Sequence, residues 1–205
     1  MKIKSALLIC ALLPIAISGP ACRRFKAPTD ELAVIETNYG KFVIEFLPRE
    51  APKHVANFQE LAREGFYDGT KFFRLVKKGD QPVAIQGGDP NTINGDPTTW
   101  GQGQPGQRTV PAEFSKTLTH VRGTVSMARK PNDADSATSQ FFICDTAYPQ
   151  WDGQYTIFGR VIEGINVVDT IGRAPVYNNT DRPLDPVVVN RIYLIKRSEM
   201  DGAAN

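Results

Sequence analysis

The sequence predicts a mainly β protein, a closed antiparallel barrel or a sandwich, on three observations. Short strand-like runs recur along most of the chain, and only two stretches carry helical spacing. No internal repeat or low-complexity block breaks the pattern, and the length suits one domain with a substantial core.

The first residues read as processing signals rather than fold. Met1 to Lys4 is a short basic start, Ser5 to Ser18 an apolar run, and Gly19 and Ala21 are small residues just ahead of Cys22. Residues 1–21 therefore read as an export signal, too short to span a bilayer stably. Cys22 directly after the small-residue site points to lipidation of that residue, with ordinary cleavage after Ala21 as the alternative. Residues 22–31 read as a tether, 32–197 as the domain and 198–205 as a tail.

Within the domain, Asn38-Tyr39-Gly40 supplies turn chemistry ahead of Lys41–Phe46, where Phe42, Ile44 and Phe46 alternate with Lys41, Val43 and Glu45; this predicts a hairpin. From Ala51 to Glu64 the apolar positions Val55, Phe58, Leu61 and Ala62 follow helical spacing, with Pro52 near the start and Gly65 as the stop. Further strands are expected at 71–76, 83–86, 123–128, 140–144, 155–161 and 187–195, and a second helix at 165–171 ended by Gly172. Two long connections remain, 89–111 and 174–186, of the kind that either carry function or are tolerated.

Charge and cysteine usage exclude several classes. Removing Lys2 and Lys4 with the signal leaves 22 basic against 22 acidic residues, and no basic cluster interleaves with aromatics, so neither nucleic acid nor an anionic surface is called for. Of three cysteines, Cys10 leaves with the signal and Cys22 becomes terminal, so a disulfide framework is not expected. With two histidines and no ligand-spaced Cys or His pair, no metal site and no cofactor are expected.

The most informative stretch is SATSQFFIC, Ser136–Cys144. On a strand, Phe141 and Phe142 point to opposite faces while Gln140 shares a face with Phe142. One face then offers an aromatic wall beside an amide able to donate and accept, suited to an apolar ring attached to a peptide backbone. A strand buried on both faces fits the same residues. Two other motifs lack their context. Gly101-Gln102-Gly103-Gln104-Pro105-Gly106 matches G-x-G-x-x-G, but no strand precedes it and Pro105 and Pro111 deny it a following helix. His54 falls on the predicted helix and His120 has no G-x-S-x-G partner, so a hydrolase triad is not expected.

FFRL (72–75), IQGGDP (85–90), GTVSMAR (123–129), SATSQFFIC and DGQYTIFGRV (152–161) stand in an order and spacing that resemble the cyclophilin-type peptidyl-prolyl isomerases from about Leu32 to Lys196. The resemblance implies an eight-stranded antiparallel β-barrel closed by two α-helices, with a proline site on its outer face. It implies that Arg74 is the catalytic cation, that Gln86 and Gln140 hydrogen-bond the substrate, and that Phe142 floors the proline pocket. Ala128 and the backbone at Arg129 would bind the residue before proline, while Gly95 and Asp96 would border the neighbouring pocket.

This chain departs from the family pattern at several places. Phe73 stands where His is common. About four extra residues, with Lys77–Asp80 as the bulge, separate Arg74 from Gln86. Val83 and Ala84 replace larger residues of the apolar wall, Trp151 is shifted by one position, and Tyr155 stands where some members have His. The implied activity is X-Pro isomerisation on proline-containing segments of exported proteins, by a monomer in the periplasm or cell envelope. A proline-peptide-binding or chaperone module with little turnover is the alternative, and Arg74 is the residue that separates the two.

Overall fold

The computed structural model describes residues 30–178 and 180–202. The expected signal, the lipidation site Cys22 and all but the last two residues of the expected tether lie outside them. Nine strand segments form one antiparallel sheet: β1 (Glu31–Thr37), β2 (Gly40–Phe46), β3 (Lys71–Phe72), β4 (Arg74–Lys78), β5 (Gln81–Gly87), β6 (Thr124–Met127), β7 (Phe141–Cys144), β8 (Ile157–Glu163) and β9 (Val187–Lys196). Their order is β3-β9-β1-β2-β8-β6-β7-β5-β4. The two ends of that order, β3 and β4, are separated in the chain by Phe73 alone. One strand thus pairs with β9 through its first half and with β5 through its second, and the Phe73 amide, donating to the Gln86 carbonyl at 3.0 Å, carries the ladder across the break. Counted this way the sheet is an eight-stranded barrel, and closure leaves no long free edge.

Alternation sorts the side chains. Ala33, Ile35, Phe42, Ile44, Phe72, Ile85, Val125, Phe141 and Phe158 fill the interior. Two helices add to this core, α1 (Pro52–Arg63) packing on β8 and β9 and α3 (Ile165–Gly172) on β2, β4 and β5. Phe58 of α1 reaches Phe46, Tyr67, Phe141 and Phe158 with ring centroids 5.0 to 5.7 Å away. A fully buried Phe of this kind is worth about 2–3 kcal/mol of transfer free energy.

The predicted helix over 51–64 forms as expected, but its start depends on a distant residue. Ala51 has no side chain to cap with, and the Glu113 carboxylate instead accepts from the Lys53 and His54 amides at 3.0 and 3.1 Å and from the His54 ring at 2.8 Å. Three features differ from the sequence reading. Glu31, placed in the tether, already pairs with Lys196 in β1 and β9. The residues 198–205 read as a tail begin with α4 (Arg197–Gly202), whose Met200 packs on an apolar patch of Leu32, Val34, Val43, Ile162, Tyr193 and Ile195 on the barrel's outside. Within the loop from Asp89, a helical turn α2 (Asn91–Asn94) and a 3-10 turn over Pro97–Thr99 form locally.

The extra residues Lys77–Asp80 lengthen the β4–β5 hairpin. Gly79 turns it with φ +61°, and a register shift falls between Val76 and Lys77. This leaves the pairing of Arg74 with Gln86 intact.

Candidate active site

One row of the ladder crosses four strands on the barrel's outer face. Arg74 on β4 pairs with Gln86 on β5, Gln86 with Phe142 on β7, and Phe142 with Ser126 on β6. Neighbouring strands stand about 4.8 Å apart, so the row sets the Arg74 and Phe142 backbones about 10 Å from each other. That separation matches a proline ring plus the peptide bond before it. The interior row alongside, Leu75, Ile85, Ile143 and Val125, belongs to the core. Phe141 and Phe142 thereby serve two environments, and Phe142, 6% exposed, joins Ala84, Cys144, Val76, Ala128, Trp151 and Tyr155 in an outer cluster.

The floor is held from several sides. Trp151 and Tyr155 meet the Phe142 ring edge-on, at 5.0 Å and 69° and at 5.3 Å and 88°. The 3-10 turn over Pro149–Trp151 swings the indole onto Phe142 despite its shifted place in the sequence. His120 lies parallel to Phe142 at 5.9 Å and 15°. Its Nδ1 is 2.8 Å from Asp152 Oδ1 and its Nε2 3.0 Å from Ser126 Oγ. A carboxylate only accepts, so Nδ1 carries the proton and Nε2 accepts from the Ser126 hydroxyl. This is a Ser-His-Asp chain in connectivity, yet Ser126 and His120 are both fully buried, where no carbonyl can reach the hydroxyl. Burial holds His120 below the usual imidazole range against the opposing pull of Asp152, keeping a neutral ring as a fixed prop for Phe142. Burial likewise pushes the Cys144 thiol up to about 12, which leaves it unreactive.

The polar side of the site is an oriented chain of donors. Arg74 Nη1 points at Gln86 Oε1 at 3.5 Å, Gln86 Nε2 donates to Gln140 Oε1 at 3.1 Å, and Gln140 Nε2 donates to the Gly101 carbonyl at 3.1 Å. Because the last acceptor is a backbone carbonyl, both amides are fixed in orientation, and each keeps an N–H for a substrate carbonyl. The Ala128 amide donates to the Gln140 carbonyl at 2.9 Å, which sets that residue beside the amide. The Arg129 side chain is engaged elsewhere. It donates to the carbonyls of Gln154, Lys130 and Pro131 and lies 4.9 Å over the Tyr155 ring.

The glycine motif turns out to cradle an anion of the protein's own. Gly101 and Gly103 adopt φ +86° and +69°, and their amides donate to the buried Asp89 carboxylate at 2.6 and 3.3 Å. The loop so anchored forms one wall of a groove of about 350 Å³ that is lined also by Gln86, Gln140, Ala128 and Lys130.

Val83 is 3% exposed and falls at the register shift of the β4–β5 ladder, where Val76 faces Ala84 and Lys77 faces Pro82, so it sits beside Ala84 without a partner on β4. One expected placement is corrected. Gly95 and Asp96 do not line the groove. Asp96 caps the 3-10 turn through the Thr98 amide at 2.8 Å, and the Gly95 carbonyl accepts from Trp100 Nε1 at 3.1 Å. The turn over Pro97–Thr99 then returns the chain so that Gly101 to Gln107 take the position assigned to them. Sequence reasoning also missed His120, whose local sequence carries no signal, and Asp181, whose carboxylate accepts from Arg74 Nε at 2.9 Å across 107 positions.

A closed barrel carrying an arginine, two oriented amides and an aromatic floor on one outer face defines a site for an apolar ring embedded in a peptide. Residues 32–194 match the model of the family described as cyclophilin type peptidyl-prolyl cis-trans isomerase. The chain belongs to that family.

Its relatives include peptidyl-prolyl cis-trans isomerase-like 1 of Mus musculus, 38% identical over 163 residues that cover 78% of this chain and 89% of that one. Peptidyl-prolyl cis-trans isomerase-like 2 of Rhizopus delemar is 38% identical over 164 residues, 79% of this chain, and there the match spans 28% of the relative's length. Among solved structures, a Cryptosporidium parvum cyclophilin type peptidyl-prolyl cis-trans isomerase, crystallised in the presence of the dipeptide Ala-Pro, superposes with a TM-score of 0.70 at 31% identity, covering 80% of this chain and 99% of that one.

Proposed function

We propose that this chain accelerates rotation about X-Pro peptide bonds, with Arg74 as the catalytic cation. The observation that carries this reading is the outer row, which sets a guanidinium and a carbonyl-binding amide one strand apart and an aromatic floor one strand further. Rotation must break amide resonance, at about 18–20 kcal/mol. The cluster around Phe142 holds the proline ring, while Gln86 and the backbone beside Ala128 hold the chain on either side. As the amide twists, its nitrogen becomes pyramidal and gains a lone pair. A guanidinium aimed there stabilises the twisted state more than either planar one. No bond breaks and no proton moves, so the chemistry needs a fixed positive charge in a partly dry groove, which the Arg74 guanidinium supplies. A rate gain of roughly 10⁵ corresponds to about 7 kcal/mol, shared between this charge and the anchors that strain the bound peptide.

The test is NMR exchange on a proline peptide. Arg74→Ala should lower kcat/KM at least about tenfold, or about 1.4 kcal/mol of transition-state stabilisation, while peptide affinity falls less. An Arg74→Ala protein that exchanges the peptide as fast as wild type would remove Arg74 as the catalytic cation, and a wild type that binds the peptide without accelerating exchange would leave only a peptide-binding module.

The clients we infer are proline-containing segments of exported proteins, met by a monomer in the periplasm or envelope. Support comes from residues 1–21, with their basic start, apolar run and small residues before Cys22. Mass spectrometry of the mature N-terminus checks it: a diacylglycerol-modified Cys22 is expected for the anchored form, and a chain still carrying residues 1–21 would remove export from this account.

A further inference from the structure

We propose that Asp181 is a positioning residue, clamping Arg74 so that its remaining N–H groups face the peptide; this rests on the isomerase reading. Arg74 leaves β4 with four flexible side-chain torsions and is half exposed, conditions under which a guanidinium samples many orientations. On the strand side its hydrogen-bond partner among the described residues is Gln86 Oε1, at a long 3.5 Å. The firm contact is on the other flank, where Asp181 Oδ2 accepts from Nε at 2.9 Å. A bond at Nε fixes the plane of the group and leaves its Nη hydrogens free for the groove.

The carboxylate is itself delivered by a built support. The Asp181 carbonyl accepts from the Leu75 amide at 2.7 Å, so the loop is bonded to the strand one residue beyond Arg74. Around it the Tyr177 amide donates to the Arg182 carbonyl at 2.9 Å, the Thr180 amide to the Tyr177 carbonyl at 3.0 Å, and the Arg182 guanidinium lies 4.2 Å over the Tyr177 ring. Val176 and Pro183 bridge at the loop's base. This is the work of the long connection from Ala174 to Pro186.

A carboxylate beside a catalytic cation acts in two opposed ways. It orders the guanidinium, and it subtracts from the field felt by the prolyl nitrogen. With both partners open to solvent, at 50% and 40% side-chain exposure, water screens the second effect, whereas disorder of an unclamped arginine is not screened. Ordering therefore dominates.

Three variants separate the roles. Asp181→Ala should lower kcat/KM about fivefold, chiefly in kcat, with Tm nearly unchanged because an exposed pair adds little to folding. Asp181→Asn, which keeps an acceptor without the charge, should restore most of the loss. In an Arg74→Ala background Asp181→Ala should cost nothing further, since the effect runs through the guanidinium. The Arg74 15N Nε–H resonance should be dispersed in wild type and in Asp181→Asn and collapse toward the free-arginine position in Asp181→Ala. Wild-type kcat/KM in Asp181→Ala, or the same fivefold loss without Arg74, would overturn the clamp. An Asp181→Asn faster than wild type would show that charge subtraction, not ordering, is the dominant effect. Wild type unable to exchange proline peptides would instead sink the isomerase reading itself.

Discussion

Truncating Phe141 and Phe142 one at a time should produce opposite phenotypes from adjacent residues. Phe141 is fully buried in the interior, where its ring meets Phe58 at 5.3 Å, Tyr67 at 5.8 Å and Phe72 at 5.8 Å, all edge-on. Phe→Ala in such a core costs about 3–5 kcal/mol, and three aromatic contacts at about 0.5–1.5 kcal/mol each place this site at the upper end. Phe142 packs against His120, Trp151 and Tyr155 at the barrel's outside, where Trp151 and Tyr155 are only partly buried and can relax into the gap. Its loss should cost about 2 kcal/mol of stability. Catalysis reverses the ranking. Laying a proline ring half-buried on Phe142 withdraws the equivalent of one to two methylenes from water, at about 0.8 kcal/mol each, so Phe142→Ala should lower kcat/KM about tenfold. Urea denaturation gives the first quantity and NMR exchange of a proline peptide the second, with exchange measured on Phe141→Ala below its unfolding transition. Equal stability losses, or a Phe142→Ala protein with wild-type exchange, would refute the assignment of the two rings to opposite faces.

Two further outcomes are expected. Asp145 is buried, and burial foremost, with the neighbouring Asp169 carboxylate after it, pushes its carboxyl up to about 6. A raised acid is ionised at a cost at neutral pH, and that cost fades as pH falls through 6 and is gone below the unfolded value, so Asp145→Asn should gain about 1–3 kcal/mol over wild type at pH 7.5 and about a third of that at pH 4.5. Protonation of His54 and His120, both held low by burial, erodes both proteins alike below pH 6.5 and cancels in the difference; a pH-independent difference in urea titrations would refute the shift. Asp89→Ala leaves the Gly101 and Gly103 amides without their acceptor. It should cost about 2–4 kcal/mol of stability and raise KM more than it lowers kcat, because the loop forms a wall of the groove. An unchanged KM in the folded variant would count against that role.

Much of this was legible before any coordinate. The alternation of Phe42, Ile44 and Phe46, the helical spacing of Val55, Phe58 and Ala62, and the opposed faces of Phe141 and Phe142 are consequences of local geometry with periods of 2 and 3.6, which a chain displays in its own order. Family resemblance extended this to the barrel and to candidate roles for Arg74, Gln86, Gln140 and Phe142. It misplaced Gly95 and Asp96 because two local turns reset where the glycine loop returns.

The tertiary structure alone decided the rest. The row Arg74–Gln86–Phe142–Ser126 exists only through register between paired residues up to 56 positions apart. His120 becomes a prop for Phe142, Glu113 a helix cap and Asp181 the partner of Arg74 only once the barrel closes. Contacts made through space depend on which strands pair and at what register, and those choices minimise the free energy of the whole barrel rather than of any segment. The sequence by itself therefore determined the elements and the chemistry available to them, and the closed sheet determined which of those groups meet.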